Sequence, residues 1–356
     1  MGFPLILNRW PKFMSSGKEL IHISKQFTGE NRLRSWLEIL STILLAASLF
    51  TITILDTIPL AARVFTSISC GLLYVRLFVI YHDYQHRAIL QNSKVASLLM
   101  QAVGIYLLAP QAIWKRTHEH HHNNNSKLTM TGIGSYPTIS KTRYLGLSKN
   151  EKFIYLVNRH PLTIIFGYFT LFIYWLNLKS FFQSPAKHLD SLFALILHGS
   201  VAFLIWNYFG VVTFAITWFI PFLLAFGMGS YLFYCQHNFP GAKFCENHDW
   251  TYVNAAITST SYMPMNPIMQ WVTGNIGYHH VHHVNSRIPF YRLMEAFKNM
   301  PDLKHAPTTS WNPIEMARCF RLKLWDAEQD KMITLRQLRD SLKVEKQLSE
   351  KLALAD

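Results

Sequence analysis

From about Trp36 to Tyr81 the chain is almost continuously apolar, broken near its middle by Asp56, Pro59 and Arg63 into two arms of about twenty residues, each long enough to cross a bilayer. A second apolar run, Leu192 to Tyr234, divides at Asn207-Tyr208-Phe209-Gly210, which supplies turn residues at its centre. The two runs predict two transmembrane helical hairpins. Two further apolar stretches, Val95 to Trp114 and Pro161 to Phe182, are nearly long enough to cross as well. The charged tail Asp326 to Asp356 carries Met332, Leu335, Leu338 and Leu342 at helical spacing, which predicts an amphipathic helix. The apolar start, Met1 to Leu7, is short and followed by Arg9 and Lys12, so it is expected on the membrane surface and not as a cleaved secretory signal; Ile6 stands where a myristoylation signal needs Ser or Thr.

Composition strengthens the membrane reading: half of the residues are hydrophobic, 15% are charged, and the charges are segregated along the chain. The expected architecture is an all-α integral membrane protein with four transmembrane helices in two hairpins, interfacial helices and a cytoplasmic helical domain carrying a di-metal site. One domain, 1–356, divides into an N-terminal interfacial part (1–35), a first hairpin (36–81), a cytoplasmic and interfacial region (82–187), a second hairpin (188–234) and a cytoplasmic C-terminal region (235–356). A formal charge of +14 suits anionic lipid heads or an acidic electron carrier; no nucleic-acid partner is expected. The four cysteines form no CxxC motif, which speaks against a zinc ribbon or iron-sulfur cluster and fits a reducing compartment.

Ten of the seventeen histidines fall in three clusters, too many and too grouped for chance. Read as HxxxH, HxxHH and HxxHH, the clusters name His82, His86, His118, His121, His122, His279, His282 and His283. Residues three and four apart share a helix face, so each cluster can aim imidazoles at a common point. Three such helices would enclose about two metals, and imidazole suits iron, copper, nickel and zinc alike. The number of donors exceeds what a structural zinc takes. His120 and His280 fall off this spacing and are expected to support the ligands or stand by; Asp83 and Glu119 are possible acceptors for ligand N–H groups. Convergence places all three clusters on one side of the membrane, so an even number of crossings separates successive clusters. Val95 to Trp114 is therefore expected to be re-entrant or interfacial, and Pro161 to Phe182 interfacial. Nearly all 34 lysines and arginines then share the histidine side, with Arg63 the clear exception, which marks that side as cytoplasmic.

The clusters and their order resemble the membrane fatty acid desaturase family over roughly Leu40 to Leu293. Trp114-Lys115-Arg116-Thr117 before the second cluster supports this, as do Arg287-Ile288-Pro289 and Tyr291-Arg292-Leu293 after the third. The pattern is most similar to the acyl-lipid, position-12-like branch of bacteria and plastids. The resemblance implies two non-haem irons on the eight histidines, with a further ligand upstream of the third cluster, for which His237 in Gln236-His237-Asn238-Phe239 is the matching residue; no catalytic residue beyond the metal ligands is expected. It also implies O2 as co-substrate, a membrane acyl lipid or acyl thioester as substrate, a cis double bond as product, and electrons from a separate ferredoxin or cytochrome with its reductase. Phe233 stands where some relatives carry an Asn that holds water near iron. No haem-binding HPGG signature is present (His160-Pro161-Leu162-Thr163 is a superficial echo), and neither is GxGxxG. Two other functions use similar residues: a di-iron lipid or carotenoid hydroxylase or ketolase, and a metal transporter. The transporter would need ligands near the bilayer midplane, where only His198 falls.

Overall fold

The computed structural model describes residues 16–246 and 250–354, so the apolar start of the chain lies outside the described residues. After a short helix α1 (Gly17–Ser24), the first apolar run forms α2 (Arg32–Ile54) and α3 (Leu60–Gln85). Asn31 starts α2 by accepting the Arg34 N–H at 2.9 Å, satisfying a donor that the first helical turn leaves free. Asp56 and Pro59 occupy the connection, as expected. Leu37, Leu44 and Phe65 are exposed on the outer faces, whereas α3 is buried along most of its length. Inside the hairpin Arg76 pairs with Glu38, donates from Nε to Thr42 at 3.1 Å and stacks over the Trp271 ring at 4.1 Å. That contact pins the region of the third histidine cluster to α3.

The stretch Val95 to Trp114 is not one helix but two, α4 (Lys94–Tyr106) and α5 (Gln111–Asn124), bent by 88°. Leu108 takes a left-handed conformation (φ 51°), and Ala109 N–H reaches back to the Gly104 carbonyl at 2.8 Å, the usual way a helix closes. Pro110 then sets the start of α5. The turn's carbonyls are served by protein: Asn177 Nδ2 donates to Leu108 O (2.8 Å) and Tyr81 Oη to Ala109 O (2.7 Å). Covered backbone of this kind is the condition under which a non-helical turn is tolerated at membrane depth. The segment from 161 to 182 is likewise broken. Following β1 (Ile139–Ser140), α6 (Lys141–Gly146) and α7 (Lys149–Asn158), it comprises α8 (Pro161–Ile165), a π-helical stretch Tyr168–Lys179 and the start of α9 (Ser180–Gln183).

The second run is α10 (Leu189–Phe214), a π-helical turn Ala215–Phe219 and α11 (Ile220–Cys235). Gly210 (φ 79°, ψ 171°) adopts a conformation that is essentially glycine's alone, and the chain reverses there. Trp218 Nε1–H donates to His198 Nε2 at 3.2 Å. An unbroken helix would hold those residues roughly 30 Å apart.

The C-terminal region contains α12 (Tyr252–Thr258), α13 (Pro267–Val272), α14 (His279–Val284), α15 (Leu293–Asn299) and α16 (Pro313–Arg321). The all-α expectation needs one correction, because β2 (Leu322–Asp326) and β3 (Lys331–Thr334) follow, and β2 pairs in parallel with β1 and antiparallel with β3. Asp326 Oδ1 accepts the N–H groups of Glu328 (3.0 Å) and Gln329 (3.1 Å), and Asp330 is left-handed (φ 49°), so this acidic loop makes a hairpin turn where a helix start was expected. Met332 therefore lies in a strand. Leu335, Leu338 and Leu342 do lie on the helix, α17 (Leu335–Ala353), and pack with Ile139, Leu324 and Ile333 into a small second core.

Candidate metal centre

Each cluster is carried by a helix end near the second hairpin's base. His82 and His86 close α3, whose terminus is sealed by Arg87 N–H to Tyr84 O (3.0 Å) and Ala88 N–H to Asp83 O (3.0 Å). α5 presents His118, His121 and His122; α14 presents His279, His282 and His283. His237 follows the last residue of α11 closely. The structure brings these nine imidazoles into two adjacent groups: His82, His86, His118, His122 and His282 in one, and His121, His237, His279 and His283 in the other. Within each group the ligand-capable atoms lie within 4.8 Å of one another. The stacked rings of His122 and His283, 4.1 Å apart, join the groups.

The spacing is that of donors around an ion. Nε2 of His122 lies 3.2 Å from Nε2 of both His118 and His282, and Nε2 of His237 lies 3.1 Å from that of His121 and 2.9 Å from that of His279. With metal–nitrogen bonds of about 2.1 Å, two imidazoles at right angles place their nitrogens about 3.0 Å apart. A web of hydrogen bonds is a poor alternative, since each ring nitrogen has either one proton or one lone pair to offer two neighbours. His237 shows the assignment directly. Its Nδ1 faces the Ser259 carbonyl at 3.2 Å, so Nδ1 carries the proton and Nε2 offers its lone pair. Among the described residues the buried Nε2 atoms of His86 and His283 meet no hydrogen-bond partner, as suits nitrogens reserved for an ion. Burial, reinforced by neighbouring imidazoles, holds His86, His118, His121, His122, His279, His282 and His283 well below the usual imidazole range, and burial takes His237 down to about 3. Neutral imidazole is the metal-binding form.

The surrounding candidates separate cleanly. Asp83 is fully buried; its Oδ1 lies 3.3 Å from His82 Nδ1 and its Oδ2 accepts the Phe290 N–H at 2.6 Å, so it joins the first cluster to the flank of the third. Glu119 lies elsewhere, on the outer face of α5, half exposed beside Lys115 at 3.9 Å. His120 faces the Met130 carbonyl at 3.4 Å, and His280 packs against Tyr262 and Phe297, so neither belongs to the two groups. His198 bonds Tyr168 (2.6 Å) and Trp218 inside the second hairpin, apart from both groups. Phe233 places its ring 5.2 Å from His121 and 5.8 Å from His237, which makes the second group's open side apolar. The sequence contained no signal for the Ser259 carbonyl or the Phe290 amide.

His82, His118 and His279 also line a cavity of about 660 Å³ that extends among Phe78, Trp114, Phe172 and Phe226. Both histidine groups thus open onto one apolar space, within the size range of a small-molecule site. Comparison with known proteins points the same way. A family model described as fatty acid desaturase matches residues 58–311. A protein named fatty acid desaturase from Bacillus subtilis (strain 168) is 28% identical over 80% of this chain and 80% of its own length. An sn-1 oleoyl-lipid 12-desaturase from Synechocystis sp. is 22% identical over 73% of this chain and 72% of its own. An sn-1 acyl-lipid omega-3 desaturase (ferredoxin) from the same source is 25% identical over 64% of each. A match that takes in all three histidine clusters, the turn at Gly210 and the cavity walls leaves one conclusion: the chain belongs to the fatty acid desaturase family and is an oxidoreductase of membrane lipid metabolism.

Proposed function

We propose that the chain is an acyl-lipid desaturase that inserts a cis double bond into an acyl chain, using O2 and two electrons at a pair of iron ions held by the nine histidines. The observation that carries this reading is the joint opening of both imidazole groups onto one apolar cavity among membrane hairpins. Bound there, the irons would supply the oxygen-dependent oxidation that takes two hydrogens from neighbouring methylenes, which with O2, two electrons from the carrier and two protons from solvent leave as two waters. Imidazole suits iron and zinc alike, but this oxidation needs a metal that changes oxidation state, which zinc does not do.

The protein's own residues bind and orient. Phe78, Trp114, Phe172 and Phe226 hold the hydrocarbon and exclude water from it. Asp83 and the Ser259 carbonyl fix the rings of His82 and His237, so the donors are set before any ion arrives. The four apolar arms cross the membrane in this reading, the bent pair α4–α5 is re-entrant, and the three clusters share the cytoplasmic face with most cationic residues. Access from the bilayer suits a lipid-borne acyl chain. Electrons come from a separate carrier; the ferredoxin in one relative's name makes a small acidic iron-sulfur protein the first donor to try.

Two measurements test the proposal. Purified protein should hold close to two irons and consume O2 only with both reductant and lipid, and His237→Ala should lower the iron content. Expression in a host rich in saturated and monounsaturated lipids, with a competent donor, should give fatty acids two hydrogens lighter. A product one oxygen heavier would establish a hydroxylase instead.

A further inference from the structure

Behind one wall of the acyl cavity lies a second, much smaller chamber of about 30 Å³, bordered by His121 and His237 of the second histidine group. Ile133, Ser135, Tyr136 and Phe233 line both spaces and so form the partition between them. The two sides of that partition differ in chemistry. Near the histidines the acyl side is walled by Phe78, Trp114 and Phe233, whereas the chamber adds Asn125, Ser126, Thr138 and Arg159. Met130 and Ile133 in the outer wall are exposed, so a single layer of the 130–133 loop separates the chamber from solvent.

Two buried polar atoms of chamber residues, Ser126 Oγ and Arg159 Nε, have no hydrogen-bond partner among the described residues. Arg159 is fully buried, and its other donors meet only neutral acceptors: the Pro137 carbonyl (2.5 Å), Thr138 Oγ1 (2.7 Å), Tyr234 Oη (3.3 Å), Asn238 Oδ1 and the Leu322 carbonyl (3.1 Å). A buried N–H without an acceptor is costly, and a space of this size has room for about two waters. Ser126 bears a second mark. It is a non-glycine residue in the left-handed region (φ 65°), a backbone state that glycine holds at less cost. What serine adds over glycine at that position is the hydroxyl.

Desaturation consumes two solvent protons per turnover, and a cavity filled by hydrocarbon excludes the water that would carry them. Resting on the desaturase reading above, we propose that the small chamber holds ordered water between Arg159 and Ser126, and that solvent protons reach the second histidine group through it. The guanidinium N–H can only donate, so the water beside it turns a lone pair to Arg159 and its hydrogens toward Ser126 and the histidines. A fixed cation also makes that water a better proton donor, because it favours the ionised form. The Ser126 hydroxyl accepts one hydrogen as it gives up another, so no charge is stored there. Each proton passed on is replaced from solvent across the 130–133 loop. Two protons thus enter for the two electrons from the carrier, and with O2 and the two substrate hydrogens they leave as two waters.

The experiment has two arms. In the first, metal-free wild type is pulsed with X-rays in H2(18)O, so that hydroxyl radicals born from bound water label the rings beside it, and the label is located by mass spectrometry. Phe244, buried at the chamber, should be labelled at least threefold faster than Phe222, equally buried inside the second hairpin. In the second arm, iron-loaded wild type, Ser126→Gly, Ser126→Ala and Tyr208→Phe are compared with one donor and one lipid. Ser126→Gly should unfold no earlier than wild type and hold the same iron, yet form product at least fivefold more slowly, with a solvent deuterium isotope effect at least twice as large. Ser126→Ala should show the same change in rate and isotope effect. Tyr208→Phe, which removes an exposed hydroxyl at the turn of the second hairpin, should match wild type. The inference is overturned if Phe244 is labelled no faster than Phe222, if both iron-loaded Ser126 variants keep the wild-type rate and isotope effect, or if Ser126→Gly loses iron or stability, which would make the serine structural. A wild type that makes no double bond despite full iron loading and a working donor overturns the desaturase reading and the proton route with it, while the labelling arm still reports on the water.

Discussion

Replacing Asp83 by Ala tests whether a buried carboxylate, and not the histidines alone, sets the metal site. In the native chain its two oxygens serve two donors, His82 Nδ1 at 3.3 Å and the Phe290 N–H at 2.6 Å. Without it the Phe290 N–H is left unpaired in a dry interior, at a cost of about 1–3 kcal/mol. His82 also loses the partner that fixes its tautomer, a change that typically weakens metal binding about 10–100-fold, or roughly 1.4–2.7 kcal/mol. Asp83→Asn retains one acceptor oxygen for two donors, so its effect should fall between Ala and the parent. The assay is chelator competition on purified protein in detergent, with thermal unfolding of the metal-free form measured in parallel. An Asp83→Ala variant that binds metal within twofold of the parent and unfolds at the same temperature would refute the reasoning.

Gly210→Val should lower stability by about 1–3 kcal/mol through backbone strain alone, since a Cβ there meets no atom of the described residues within 4 Å; unfolding in mixed micelles measures it. Gly134→Ala should cut metal content and desaturation more than tenfold, because its Cβ would lie 2.0 Å from the Thr117 carbonyl, next to His118 in α5, and the backbone is already left-handed (φ +63°). Lys323, lowered to about 7 by burial and then by Arg159, should make stability pH-dependent. Between pH 7 and about 10 the unfolded chain holds a proton there that the folded chain does not, so stability rises with pH across that window. Lys323→Met should therefore stabilise the protein at pH 7 by on the order of 2 kcal/mol after solvent screening, with the advantage fading toward pH 10.

Much of the site was legible because its information is local. Spacings of three and four report a helix face whatever surrounds the helix, so the eight box histidines could be read directly, and His237 stood out as an imidazole at the end of an apolar run. The hairpin turn at Gly210 was visible for the same reason. What stayed hidden depends on partners far along the chain. The bend between α4 and α5 needs Asn177 and Tyr81 to serve its carbonyls, and the pairing of β1 with β2 joins residues nearly two hundred positions apart. The Asp326 turn was misread because Met332 keeps step with Leu335 and Leu338 in a charged tail, and apolar spacing outweighed a turn signal. Glu119 and Asp83 look alike in sequence, each one residue after a ligand, but the flank of the third cluster at Phe290 covers Asp83, whereas Glu119 stays half exposed on the outer face of α5.

The apportioning of histidines has a practical corollary. In α5 and again in α14 the outer pair of one group and a single member of the other share a helix, His118 and His122 against His121, and His279 and His283 against His282. With an ion in each group, any tilt of either helix would detune both together. Among the described residues, α3, through His82 and His86, and His237, two positions past the end of α11, each contribute to one group alone. A heterobimetallic form, with the native metal in one seat and a spectroscopically silent one in the other, is therefore best sought by altering those three positions, leaving the two shared helices untouched.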